Sequence, residues 1–543
     1  MIRLLFLAAL AATTALNAQT GIIPPGWAFP DTPEAYELET FDHHRLLQED
    51  TRIEDEGGRT NHGRVVDTQF TLEDHAEWNT LPNGDQVIRM RFHTNGAAAV
   101  AAFFDNYHIP VGAYLFAYDA TRTWVEGPYD HTENAEHGIM TTAEVPGDDL
   151  VLEIYMPVGV VGTPTLGVRG VGHFYRYVYF HQAEERGGSD PCEVDVNCPE
   201  GEPWGPLRDS VVRLRIVDGN QIGLCSGVLV NTTAADCRRY MLTALHCAQG
   251  VSDADFLSLQ VRFNYEKSGC GTGAAPSSRN RNGVFHLADS NDGGGNSGSD
   301  FLLVELEDEI PQNWNPFFAG WDASGAGSSE GVCIHHPAGD VKKISTYDDN
   351  LTSVWFGAPG SHWEVTWVET ETNHGVTEGG SSGSPIFNEE GLILGNLTGG
   401  TSFCTAPNAP DYYGRMSHHW DSNPNPSNEK LKEWLDPDDT GAEIMFGGYQ
   451  PNCDQDAMDV PEFNFQDVRV FPSPATTTLQ ITVYNAHEMN RVDMYDAQGR
   501  FVRSELITDN TMSVDVSSMA PGLYHFTFVD AFDQQVTHRV VIQ

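Results

Sequence analysis

Basic side chains are scarce in this chain: 30 lysines and arginines stand against 77 aspartates and glutamates, for a formal charge of -47. Such a field repels nucleic acid and anionic membrane surfaces and argues against both as partners. Long apolar runs are lacking as well. After "MIRLLFLAALAATTALNA" (1–18) no segment approaches the roughly 20 apolar residues that cross a bilayer. That first stretch has a cationic start, an apolar run and small residues before Gln19, and it reads as a secretory signal. The expectation is a soluble, exported monomer with no transmembrane segment once the signal is removed. Metal motifs are missing too. No C-x-x-C pair occurs, and the string nearest to H-E-x-x-H is "HEMNR", with Arg491 where the second ligand belongs. No metal and no cofactor is expected.

Cysteine is absent from 19–185, and seven of the nine fall between Cys192 and Cys333, followed by Cys404 and Cys453. In an exported chain that clustering points to disulfides, and an odd count leaves at least one thiol unpaired. The cysteine-free part has strand composition in "DQVIRMRFHT", "GAYLFAYDA" and "DLVLEIYMPVG", broken by Gly, Pro and Asp turns. It reads as a separate β-rich unit ending in the exposed, cleavable stretch "HQAEERGGSDP". The cysteine-bearing part, about 187–449, alternates short strands with long loops. Its one clear helix signal is "SNEKLKEWL", with Ser427 or Asn428 as cap. After the acidic linker 450–462, residues 463–543 alternate strand and turn in the manner of a small antiparallel sandwich. No internal repeat at a fixed period is present.

The segment "TNHGVTEGGSSGSPIFNEEGLILGNLTGG" (372–400) carries a Gly/Ser run that on composition alone reads as a linker. The apolar, strand-like residues after it favour a tight turn near a ligand. A serine there attacks an acyl group only if a base takes its proton and donors stabilise the oxyanion. "YMLTALHCAQG" puts His246 just past a strand and beside Cys247, and "GSDFLLVELED" puts Asp300 at the start of another. Either residue by itself is as readily a surface histidine or a turn aspartate. Together with Ser382 they follow the chain order His, Asp, Ser of one triad class. An α/β-hydrolase elbow needs Gly two places after the serine, where Ser384 stands. His335 and His336 in "IHHP" read as structural rather than as a metal pair.

"LTALHC", "SDFLLVEL", "IHHP" and "GVTEGGSSGSPIF" resemble the secreted bacterial lysyl endopeptidases of the trypsin-like superfamily, over about 187–449. The resemblance implies a mainly β fold with two antiparallel barrels and the site between them. It implies His246 as base and then acid, Asp300 fixing its tautomer, and Ser382 as nucleophile, with the amides of Gly380 and Ser382 as oxyanion hole. It further implies the pairs Cys192–Cys404, Cys198–Cys270 and Cys225–Cys247. Cys237, Cys333 and Cys453 have no family counterpart, and a Cys237–Cys333 bridge is one pairing left to them. Activation by the buried ion pair of digestive trypsins is not expected, because Ser381 stands where they carry an aspartate.

Specificity follows from the same likeness. The usual trypsin pocket acid is replaced by Val376, and the lysyl endopeptidases place theirs two residues before a Tyr-Gly-Arg string, which is Asp411 in "APDYYGR". Gly399 and Gly400 would pair with the substrate backbone, and Trp355 would wall the catalytic histidine. Thr398 departs from the family, whose lysine-specific members have histidine there. The expected activity is cleavage of proteins and peptides after Lys, and also after Arg. Residues 19–186 would be a propeptide removed by a cut after Arg186. "VFPSPATTTLQI", "YDAQGR" and "GLYHFTF" resemble the type A sorting domain of type IX secretion, which implies Sec export, passage across the outer membrane by that machinery, and a secreted or surface location. A carbohydrate-binding or spacer sandwich is the alternative for the tail. For the whole chain it is a secreted binding protein or adhesin that kept the barrels and lost catalysis.

Overall fold

The computed structural model describes residues 23–176, 188–449 and 468–543, with short breaks inside the last two stretches. The signal 1–18, Arg186, Cys237, the linker 450–462 and Cys453 lie outside the described residues. Two compact units result, the first running to Met445 and the second from Phe446 to Gln543.

After a short 3-10 turn (Pro25–Ala28) and a three-residue strand (Ala35–Glu37), the first unit forms a helix that the sequence reading did not foresee, α1 (His43–Asp55), capped by Asp42, whose carboxylate accepts from the Arg45 amide at 3.3 Å. Strands follow: β1 (Asn61–Thr71), β2 (Gln86–His93), β3 (Ala99–His108), β4 (Tyr114–Tyr118), β5 (Asp149–Met156) and β6 (Thr165–Phe174). Strands β2, β5 and β4 pair in that order in one sheet, while β6 lies between β1 and β3 in a second. Strand β3 shows why its sequence is an unbroken apolar run. Val100, Ala102 and Phe104 enter the core between the two sheets, whereas Ala99, Ala101 and Phe103 face the other way into a second core with Val217, Ile222 and Leu224. Side chains alternate across a strand, so a strand buried on both faces must be apolar at every position.

The residues of that second core belong to a barrel-like sheet: β7 (Val211–Asp218), β8 (Gln221–Leu229), β9 (Tyr240–Thr243), β10 (Gln260–Arg262), β11 (Val284–Asp289) and β12 (Leu302–Leu306). Strand β7 pairs with β8 and β10, β9 with β8 and β12, and β11 with β12, all antiparallel. Leu214, Met241, Val261 and Val304 fill its centre. A second antiparallel sheet comprises β13 (Gly331–His335), β14 (Lys343–Tyr347), β15 (Thr352–Phe356), β16 (Ala358–Val365), β17 (Pro385–Asn388), β18 (Leu392–Gly400) and β19 (Asp411–Arg415). Its order is β14-β13-β17-β18-β19-β16-β15, around Trp363, Trp367, Ile386 and Tyr413. The helix expected near the end is the short α2 (Leu431–Leu435). Lys430 occupies its N-cap position with no side-chain bond, and the expected caps Ser427 and Asn428 lie outside the described residues.

The second unit is built of β20 (Val468–Phe471), β21 (Thr478–Val483), β22 (Met489–Asp496), β23 (Phe501–Leu506), β24 (Thr511–Asp515), β25 (Gly522–Asp530) and β26 (Gln535–Ile542). They form a three-stranded sheet β20-β21-β24 and a four-stranded sheet β23-β22-β25-β26, both antiparallel, around Leu479, Val492, Phe526 and Phe528.

Cys192 is bonded to Cys404, Cys198 to Cys270 and Cys225 to Cys247. Cys333 is a free thiol, which corrects the Cys237–Cys333 pairing. It sits on β13 inside the second sheet's core, its sulfur 3.3 Å from Ser384 Oγ, and among the described residues no other cysteine is bonded to it. Burial pushes that thiol up to about 12. In the folded protein Cys333 should therefore resist alkylation at pH 8 and react once denatured. Peptide mapping checks this, and recovery of Cys333 in a mixed disulfide peptide would contradict it.

Candidate active site

His246 follows β9 in a one-turn helix, Leu245–Ala248, tied to β8 by the Cys225–Cys247 bridge. Its Nδ1 lies 2.7 Å from Asp300 Oδ2, and its backbone amide donates to Asp300 Oδ1 at 2.8 Å. A carboxylate only accepts, so Nδ1 carries the hydrogen and the lone pair is on Nε2. Asp300 is fully buried and adopts a left-handed backbone, φ 64°. Its carbonyl accepts from Leu245 N at 3.2 Å and, across the two sheets, from Asn396 Nδ2 at 2.9 Å. Two backbone amide bonds, one side-chain amide bond and one imidazole bond thus over-determine a strained residue, as such sites require.

Ser382 lies on the turn between Gly379 and Gly383, partly exposed. Three carbonyls of this turn point into the protein. That of Gly379 accepts from Ala338 N (2.6 Å), that of Gly380 from Ser226 Oγ (3.0 Å), and that of Ser382 from Ser226 N (2.8 Å). The amides of Gly380 and Ser382 find no acceptor among the described residues, and two free N–H groups on one turn are what an oxyanion needs. Gly383, with φ 81°, is packed so closely that any side chain would strike Thr243 Oγ1 and Ser226 O, which brings the turn against the strand leading to His246. The neighbouring Ser381 is fully buried, with Oγ 2.8 Å from His335 Nδ1 and accepting from Glu378 N at 3.2 Å. Behind it burial pushes the Glu193 carboxyl well above the usual range, and burial raises Glu378 as well.

Asp411 on β19 is also fully buried. Its Oδ2 accepts from Trp367 Nε1 (2.6 Å), Thr377 Oγ1 (2.7 Å) and Ser402 Oγ (2.6 Å), while Oδ1 accepts only from Ser402 N (3.1 Å). Burial raises its pKa, and the four hydrogen bonds oppose that rise. Gly400 runs directly against Oδ1, whereas the space beside Gly399 is empty.

Thr398 Oγ1 meets His362 Nε2 at 3.0 Å, and His362 Nδ1 meets Ser361 Oγ at 2.7 Å. A histidine thus reaches this corner from β16, not from β18. No reading of residues next to the glycine pair could have found it, since β16 and β18 each pair with β19 and not with each other. Trp355 is 75 % exposed. The aromatic group beside His362 is Phe356, stacked on Tyr412 at 4.6 Å and edge-on to His362 at 5.1 Å.

A family model of the lysyl endopeptidase C-terminal domain matches residues 186–414, one of the lysyl endopeptidase N-terminal domain matches 37–175, and one of a secretion system C-terminal sorting domain matches 469–543. The lysyl endopeptidase of Pseudomonas aeruginosa is 27 % identical over 360 residues, spanning 63 % of this chain and 75 % of that protein. Among solved structures, the thermostable serine protease AL20 from an extremophilic microorganism is 14 % identical with a TM-score of 0.29, covering 39 % of this chain and 92 % of its own. The protease Anisep of Arthrobacter nicotinovorans is 16 % identical with a TM-score of 0.28, covering 38 % and 90 %. Likeness at those scores adds nothing to the fold described above.

Burial keeps His335 neutral, lowered to about 3, and His362 likewise, lowered to about 4. An unfolded chain takes up protons on both below pH 6.5, while the folded chain does not until far lower. Stability is therefore complete above 6.5 and is lost as pH falls from there toward 4. His335→Gln should reduce the difference in unfolding free energy between pH 7.5 and pH 4.5 by about 2–3 kcal/mol. Urea titrations at the two pH values test this, and an unchanged difference would contradict it.

Proposed function

The chain is a lysyl endopeptidase-like serine protease with a C-terminal secretion sorting domain, and from that premise we propose that it cuts peptide bonds after lysine, with arginine accepted more slowly, through Ser382, His246 and Asp300. The observation that carries the triad is the pair of hydrogen bonds from His246 to Asp300, together with a turn that has two unengaged amides. Ser382 Oγ attacks the scissile carbonyl and gives its proton to His246 Nε2. The oxyanion is received by the amides of Gly380 and Ser382, donors worth roughly 3–4 kcal/mol each in such sites. The imidazolium, held by Asp300, returns the proton to the leaving amine. Water then releases the acyl group by the same steps in reverse order.

Asp411 supports the basic preference. Three donors already fill Oδ2, so an incoming cation finds only Oδ1, beside Gly400. A compact ammonium is satisfied by one oxygen and surrounding waters, whereas a guanidinium binds best when it spans both. Residues 19–186 serve as a propeptide released by a cut after Arg186, and residues 463–543 direct export by the type IX route to the cell surface or the medium.

Ser382→Ala should fold normally yet lose several orders of magnitude in peptidase turnover and all labelling by a fluorophosphonate. Labelling that persists in this variant would place the nucleophile at another serine, and labelling absent from the parent would favour the silent binding protein. In a peptide-library digest, kcat/KM should favour Lys over Arg by about tenfold. Asp411→Asn should lower cleavage at both by at least about a hundredfold, about 3 kcal/mol. Cuts mainly after aromatic or acidic residues would refute the pocket.

A further inference from the structure

The N-terminal part of the first unit holds the catalytic part by two kinds of contact, and each reaches a segment that holds the candidate nucleophile turn. The first is a strand. Arg64, Gly63 and Asn61 of β1 pair antiparallel with Gln221, Ile222 and Gly223 of β8. Val65 N donates to Asn220 O at 2.8 Å, and Leu224 N to Thr60 O at 3.4 Å. Strand β8 runs on to Ser226, whose amide and hydroxyl hold the nucleophile turn. At the end of the added strand Thr60 packs against Gly379, leaving no room for a side chain there.

The second contact is ionic. Glu144, fully buried, accepts from Arg213 Nη2 at 2.8 and 2.9 Å and pairs with Arg215 Nη1 at 3.3 Å and Arg262 Nη1 at 3.5 Å. All three arginines are at most 4 % exposed. Arg213 also donates to Gly339 O at 3.3 Å, on the short turn whose Ala338 amide orients the Gly379 carbonyl. Further bonds across the contact include Thr141 Oγ1 to Asn282 at 2.9 Å, Arg59 to Asp218 at 3.0 Å, His137 to Glu307 at 2.9 Å and Arg281 to Glu133 at 3.2 Å.

The opposite side of Ser382 is left alone. No hydrogen bond or ion pair joins residues 23–176 to Thr398, Gly399, Gly400 or Asp411 among the described residues, and the space beside Gly399 is empty. A substrate chain crosses the nucleophile once. If its lysine and preceding residues lie along Gly399, Gly400 and Asp411, the residues after the scissile bond must leave past Gly379 and the edge of β8, where Thr60 to Arg64 now run.

We propose that the N-terminal part is a tethered inhibitor of the leaving-group side: the strand Thr60–Arg64 takes the place of the substrate segment beyond the scissile bond, Glu144 anchors it, and the lysine pocket and oxyanion amides stay open. This rests on the peptidase reading above and adds where the cover acts. A cover over the pocket would stop every substrate. A cover on the leaving-group side stops only those with a chain to place there.

The test uses the full-length chain carrying Arg186→Gln, compared with the processed enzyme. Two substrates are compared: an N-acyl-lysine ester with a small alcohol, and a peptide with four residues beyond the lysine. The ester should be hydrolysed by the uncut chain within about threefold of the processed enzyme, and the peptide at least about a hundredfold more slowly. Adding Thr60→Gly, or separately Glu144→Gln, should return peptide cleavage by tenfold or more while leaving ester turnover unchanged. Equal loss of both substrates in the uncut chain would overturn the proposal, since the block would then lie at the pocket or the triad. Equal retention of both would overturn it as well. A processed enzyme inert toward the ester would instead refute the peptidase reading on which it rests.

Discussion

Ser226 is the joint on which the site depends. Its amide holds the Ser382 carbonyl, its hydroxyl donates to Gly380 O and accepts from His336 N at 3.0 Å, and its own carbonyl accepts from Thr243 Oγ1 at 2.8 Å. One residue of the first sheet thereby satisfies groups on the nucleophile turn, on the loop after β13 and on the strand before His246. A turn that rich in glycine has little conformational preference of its own, and it is these bonds that select one arrangement. With the carbonyls pinned inward, the amides have only one direction left to face. The pre-aimed donors of an acyl-transfer site are thus a consequence of where the neighbouring acceptors were tied.

The buried charges follow a related logic. In a chain with so large an excess of acid, three arginines share one carboxylate, and Arg213 and Arg262 lie over the ring of Tyr265 at 5.0 and 4.1 Å. Burying an ion is costly unless attraction and hydrogen bonds offset the loss of water, and three guanidinium groups hold the Glu144 carboxyl low, at about 2, against its own desolvation. Glu126 in the same region has weaker support, and burial lifts it to about 7. The same carboxyl group is thus held low where three guanidinium groups meet it and pushed up where burial dominates.

Much of this was legible beforehand, for identifiable reasons. Strand-like runs such as "DLVLEIYM" announced sheets because an apolar, β-branched stretch has few other uses in an exported protein, and the sequence around His246, Asp300 and Ser382 marked a local geometry that each needs. Helix α1 was not legible. "HHRLLQEDTRIED" buries only Leu46 and Asp50, so it has almost no apolar stripe, and its cap at Asp42 was the one available sign. The odd thiol was predictable in number but not in position, since nothing local separates a cysteine packed in a core from one awaiting a partner. His362 escaped for a topological reason: it meets Thr398 from a strand two places away in the sheet order, and sequence adjacency carries no trace of that.

The contact between β1 and β8 has a further consequence for how the two parts could come apart. The apolar portion contributed by the catalytic sheet is small, Val217, Ile222 and Leu224, and it is bordered by Arg213, Arg215, Arg262, Gln260 and Asn282. On the catalytic side separation would therefore wet a surface largely ready for water, with guanidinium groups trading one carboxylate for solvent, while the apolar cost falls on the departing N-terminal part, whose Val65, Ala99, Ala101, Phe103 and Phe174 lose their cover. The seam resembles the boundary between two proteins that meet and part more than the interior of one that was meant to stay whole.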